Sequence, residues 1–435
     1  MRDTMRAVLR IGVLAIVIAT MTWATIGLAA QRGGMFLGSA DDPAIAYSSA
    51  PLDNAVSALN EKLRAGTARL SFQGRSGYLQ SALDALAISA DSQMLVFSPT
   101  SFQAKRINEQ NPRALFFNDR VALGWVRDGE IIEVAAQDAA QGVVFYTLDQ
   151  HPSDRPEFRR MFTCLGCHMS GDTLGVPGML MFSTASSRGA GGIARSVATD
   201  QRSPLADRWG GWFVTGSSGS IAHRGNEVAA LTGAAYSQLP SVTGLFDDDG
   251  YRVMSSDIAA LMVLSHQTHM TNLLTRVGWE ARAADPARHA PFVASPGEQE
   301  RLAQMMTGIA TEVVDYMLFV GEAPLGDRIR GSSGFAERFS QAGPKDAKGR
   351  SLHQLDLTRR LMVYPCSYLI YSDAFETLPP AARDPIYRRL WRILSGAEPG
   401  ERYRTALSLA DRQAIVEILL GTKKDLPAYF QEVVR

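Results

Sequence analysis

Cysteine is scarce in this chain, with three residues in 435, at positions 164, 167 and 366. That excludes a disulfide scaffold, which staples a small core with several bridges. An excess of one charge is also missing: Lys plus Arg total 44 and Asp plus Glu total 44. No bulk attraction to nucleic acid or to an anionic membrane follows, and neither is expected as a partner. Internal repeats and low-complexity tracts are absent, and a single long apolar run occurs, from Ile11 to Ala30.

That run follows Arg2, Arg6 and Arg10 and ends in Gly-Leu-Ala-Ala, the pattern of an export signal. Residues 1–30 therefore read as a signal peptide or an N-terminal anchor. The 20 residues of the run can just cross a bilayer, although Thr20, Thr22 and Thr25 weaken it as a span. In either case the body of the protein is expected outside the cytoplasm, in the periplasm. Beyond residue 30 it holds 41 basic against 43 acidic residues, so the charge argument is unchanged.

Fold class reads as α+β. Leu52, Val56, Leu59 and Leu63 recur at helical spacing, and Leu79, Leu83 and Leu86 mark a second helix. Short runs then alternate with turn signals: Met94 to Phe97, Ala114 to Phe117, Val121 to Val126, Glu130 to Val134 and Val143 to Leu148. These read as strands, and Asp128-Gly129 between two of them marks a hairpin. Residues 36–150 are thus expected to form a small mixed domain. Residues 151–255 are loop-rich, with Gly, Ser and Arg in place of long apolar runs, and read as chain folded around a bound group. From 256 to 435 the pattern is helical: Ile258 to Glu280, Glu298 to Val320, Pro380 to Leu394 and Leu409 to Leu420. Ser295 with Glu298, and Ser408 with Asp411, place a hydroxyl three residues before an acid, as a helix start requires.

Chemistry concentrates at Cys164-Leu165-Gly166-Cys167-His168. Pro156 suits a first helical turn, and Phe158, Met161, Phe162 and Leu165 fit an amphipathic helix running into the motif. On such a helix the two thiols and the imidazole address one face. That is what a c-type haem requires: two thiols for its vinyl groups and an imidazole for its iron. Three other readings compete. A thioredoxin-like redox pair wants a strand just before the motif, where Glu157-Phe158-Arg159-Arg160 reads as helix. A zinc site wants further paired ligands, and no second Cys pair exists. A plain disulfide leaves His168 without a role.

The residue opposite His168 decides between electron carrier and enzyme. Met179 and Met181 would complete a His/Met pair, although a Met among apolar residues is more often core filler. His266 and His269 share a helix face with Met270 and Leu273. His223, near the motif in a Gly-rich stretch, is an equal candidate. His151, His289 and His353 read as solvated. Trp209 and Trp212 could wall a haem edge, and Arg202, Arg208 or Arg224 could neutralise a propionate; the alternative is a tight turn with one buried Trp. Cys366 reads as a buried, inert free thiol, since no neighbouring His or Lys would lower its pKa.

Several stretches together resemble a family of exported bacterial proteins with a cytochrome c domain and one Cys-x-x-Cys-His motif. They are Phe162 to His168, Gly175-Val176-Pro177-Gly178, Arg208-Trp209-Gly210-Gly211-Trp212, His266-Gln267 and Tyr364 to Leu369. The resemblance implies haem binding and electron transfer, and it implies no substrate; a redox partner protein is expected with electron transfer. This chain departs from small soluble cytochromes c in carrying over a hundred residues ahead of the motif.

Overall fold

A computed structural model describes residues 34–184, 196–228, 238–285, 295–398 and 400–432. The export segment and His289 lie outside the described residues. Among the described residues no helix is long and apolar enough to cross a membrane.

An antiparallel sheet of six strands, in sequence order, forms the centre of the N-terminal half. Its strands are β1 (Met94–Val96), β2 (Arg113–Phe117), β3 (Val121–Trp125), β4 (Ile131–Asp138), β5 (Gly142–Asp149) and β6 (Arg159–Arg160). Along β4 burial alternates residue by residue, the signature of a strand with two unlike faces. One face carries Phe116, Leu123, Val134 and Tyr146 into a core shared with helices α1 (Ala55–Arg64) and α2 (Leu79–Ala85). Asn54 caps α1 by accepting from the Val56 and Ser57 amides, a contact worth about 1 kcal/mol. Asp128, with φ of 57°, makes the expected turn between β3 and β4.

The opposite face of the sheet, including Met94, Val96 and Phe117, packs into a second core built on helices. Its axis is α4 (Ile258–Ala283), which follows a four-residue helix at the motif, α3 (Leu165–His168). Around α4 lie α5 (Pro296–Met317), α6 (Phe335–Gln341), α7 (Asp373–Glu376), α8 (Pro380–Leu394), α9 (Glu401–Ala406) and α10 (Leu409–Thr422). Asp257 caps α4 through the Ala259 and Ala260 amides, and Ser408 and Asp411 form the expected reciprocal cap on α10. A short hairpin of β7 (Phe182–Thr184) and β8 (Ser196–Ala198) lies after the motif. The α+β class is therefore observed. The first core does not stop near residue 150, because Phe158, Phe213, Val242, Phe246 and Tyr251 belong to it.

Two local expectations are corrected. Residues 156–165 are not one helix: Arg159 and Arg160 pair with Thr147 and Tyr146 as the edge strand of the sheet. Asn60 fixes this by accepting from the Phe158 amide at 3.0 Å and donating to the Phe158 carbonyl at 2.8 Å. Sheet pairing and that clasp satisfy the backbone as a helix would, and tertiary context overrides the periodicity. His353 is not solvated; it is buried between Phe339 and Tyr368.

Candidate functional site

The motif follows the sheet edge directly. After β6 the chain makes a single 3-10 turn at Phe162–Cys164 and then α3, so both thiols and the imidazole lie within two turns. Cys164 is half-buried, Cys167 is exposed, and neither is bonded to another thiol. Burial, helped by the nearby Glu133 carboxylate, pushes the Cys164 thiol up to about 11. A redox thiol pair of the thioredoxin kind needs a depressed pKa on its attacking sulfur. A strand, β6, does precede the motif, as a thioredoxin-like pair would want. The raised thiol and the wholly antiparallel sheet argue against the thioredoxin reading.

His168 packs its ring on Phe145 of β5, with centroids 4.7 Å apart. Its Nδ1 donates to the Gly178 carbonyl at 2.9 Å, while the Gly178 amide donates back to the His168 carbonyl at 2.9 Å. With the proton held on Nδ1, the lone pair sits on Nε2, and no hydrogen bond occupies that atom among the described residues. Burial lowers the His168 pKa, which favours the neutral ring that a metal requires. A side chain on Gly178 would not fit, since its Cβ would fall 2.1 Å from Asn272 Oδ1. Asn272, on α4, grips the next residue from both sides: its Oδ1 accepts from the Met179 amide and its Nδ2 donates to the Met179 carbonyl.

Apolar surface lies open beside these groups. Phe162 is 47% exposed, Met35 44% and Leu37 87%. Residues 35–37 are held against the turn after the motif by the Phe36 amide, which donates to the Leu174 carbonyl. Met35 itself rests over Gly171, where a Cβ would lie 3.4 Å from its sulfur. Two reachable thiols, an imidazole with a free Nε2 and an uncovered apolar rim fit a covalently held porphyrin.

Most of the other candidates are engaged elsewhere. His266 is fully buried; Nδ1 bonds Gln201, Nε2 meets the Ser367 hydroxyl at 2.7 Å, and the ring stacks on Tyr316 and Phe319. His269 meets Arg202 Nη2 through Nε2 at 3.2 Å, and Arg202 in turn forks onto Asp200. His223 accepts from the Gly225 amide through Nδ1 and sits edge-on to Trp209. Met181 is packed in the helical core and Met179 is partly buried beside Asn272. Trp209 is buried, while Trp212 donates through its indole to the Phe182 carbonyl and extends the sheet edge by bridging Val96. Arg208 is buried with its guanidinium on the Ser203 and Gln201 carbonyls, and Arg224 pairs loosely with Glu227 at 3.8 Å. None of these contacts reaches Cys164, Cys167 or His168. Cys366 is fully buried, and burial lifts its thiol to about 12.

Sequence reasoning found the motif and missed its supports, Phe145, Gly178 and Asn272. Gly178 had a visible signal, since it closes Gly175-Val176-Pro177-Gly178; Phe145 and Asn272 are brought in by tertiary packing alone.

In comparisons with known proteins, no family model matched this chain, and neither a curated protein nor a solved structure matched it.

Proposed function

We propose that this chain is an exported c-type cytochrome with one haem, held by Cys164 and Cys167 and ligated by His168, and that it transfers electrons with a redox partner protein in the periplasm. In this reading residues 151–435 are the cytochrome c-like haem-binding part, and a membrane is met only through an uncleaved N-terminal segment. The observation that carries the reading is the bond from His168 Nδ1 to the Gly178 carbonyl. Iron-binding imidazoles characteristically donate their second nitrogen to such an acceptor, which fixes the tautomer and sharpens the basicity of the other. Haem, when bound, supplies an iron that takes up and releases one electron. The chain's own work is to orient the imidazole through Gly178 and Phe145, to present two thiols on adjacent turns, and to offer Phe162, Met35 and Leu37 as apolar cover.

A second reading draws support from one observation, the engagement of His266, His269 and His223 with protein partners. Were no further side chain to ligate the iron, the protein would act as a haem oxidoreductase on a small oxidant or oxyanion, or as a haem-containing binding or sensory protein. The experiment is expression in a host that attaches haem, followed by mass and absorbance measurement. Each thiol adds across one vinyl double bond without losing an atom, so the expected mass gain is one whole haem. Colourless protein of bare polypeptide mass defeats the proposal. A low-spin spectrum then supports electron transfer, and a high-spin spectrum that changes on adding cyanide supports the second reading.

A further inference from the structure

A charged pair lies on the face of the sheet that carries the motif. Arg113 on β2 and Glu133 on β4 are separated by strand β3, yet they form an ion pair at 3.0 Å with side chains only 17% and 15% exposed. The crossing depends on Gly124 in β3, opposite Glu133 in the ladder. A Cβ there would lie 2.4 Å from Arg113 Nη2, so the guanidinium occupies the slot that the missing side chain leaves. Ser101 fixes the other end by placing its hydroxyl 3.1 and 3.0 Å from the two carboxylate oxygens of Glu133.

The sheet register relates this pair to the site. Glu133 is opposite Thr147 on β5, and Phe145, two residues before Thr147 and on the same face, is the ring against which His168 packs. Glu133 and Phe145 are therefore diagonal neighbours, about 7–8 Å apart at the backbone. A withdrawn ion pair is weak evidence for stability, because well-packed apolar residues commonly do as well.

We propose that Arg113 and Glu133 are positioning residues that set the reduction potential of the haem held by Cys164, Cys167 and His168. This rests on the haem reading above. Oxidised haem carries one more positive charge at iron than reduced haem. A fixed carboxylate nearby favours the oxidised form and lowers the potential, and a fixed guanidinium does the reverse. Partial burial lets both act with little screening by salt.

The test is potentiometric titration of the haem-loaded protein carrying Glu133→Gln, Arg113→Gln, Arg113→Lys or both glutamines. Glu133→Gln is expected to shift the midpoint to more positive potential and Arg113→Gln to more negative. The double variant should lie between the single variants, and Arg113→Lys close to the unaltered protein. Melting temperature separates this from a purely structural role, because either single change strands a partner and lowers stability, whereas the potentials move in opposite directions. The double variant leaves no unpaired charge and remains measurable if the single variants fold poorly. Midpoints that stay in place, or that move the same way in both single variants, overturn the proposal. Unaltered protein that carries no haem overturns the reading beneath it, and this proposal with it.

Discussion

Two imidazoles in this molecule invite comparison. His266 lies in the helical half, wholly buried, with side chains on both ring nitrogens and aromatic rings against its face. His168 lies at the edge of the sheet half, with one nitrogen on a backbone carbonyl and the other without a hydrogen bond among the described residues, beside an exposed thiol. From sequence both were candidates for iron. What separates them is the second nitrogen: a ring satisfied twice is part of the packing, while a ring satisfied once on the correct side is prepared for a ligand.

The largest expected effect tests the His168 side of that contrast. Replacing Cys164 and Cys167 together by Ala should abolish covalent haem, read as loss of the mass gain after denaturation, while the protein keeps its circular dichroism. Unfolding of this variant even without haem present would show that the thiols serve packing instead. Next, His266→Ala should cost about 2–4 kcal/mol in urea unfolding, through the vacated volume and the stranded Gln201 and Ser367 groups. Haem attachment should persist in that variant, and loss of attachment with the fold intact would erase the distinction between the two rings.

Two smaller effects concern pH. Burial pulls the His266 pKa down to about 3. Its folded value lies below its unfolded value near 6.5, so its contribution is present above about 6.5 and lost as pH falls towards the folded value. His266→Ala should therefore flatten the acid limb of a stability curve over that window. Glu322 behaves oppositely, since burial lifts its carboxyl to about 7, against a bond from the Leu361 amide. Its folded value is raised, so its contribution is full below the unfolded value and lost as pH rises through about 7. Glu322→Gln should raise the melting temperature at pH 8 relative to the unaltered protein, and an equal gain at pH 5 would contradict this account.

Much of the scaffold was legible because alternation and helical spacing are local. The strands from β2 to β5, the long α4 and the cap at Ser408 follow from such patterns. The stretch before the motif was misread because Phe158, Met161, Phe162 and Leu165 satisfy a helical period, while Asn60 and β5, far away in sequence, supply the pairing that prevails. Arg113, Gly124 and Glu133 were invisible for a related reason: each is ordinary alone, and only the register of three strands brings them together. His353 looked solvated among polar neighbours until Phe339 and Tyr368 closed over it.

The grip of Asn272 on Met179 ties the two halves mechanically. His168 is fastened to residue 178, residue 179 is fastened to the middle of α4, and α4 is the spine of the helical core. The imidazole is thereby tethered, through two consecutive residues, to that spine. A pull on the ring is passed by these bonds towards a helix of 26 residues.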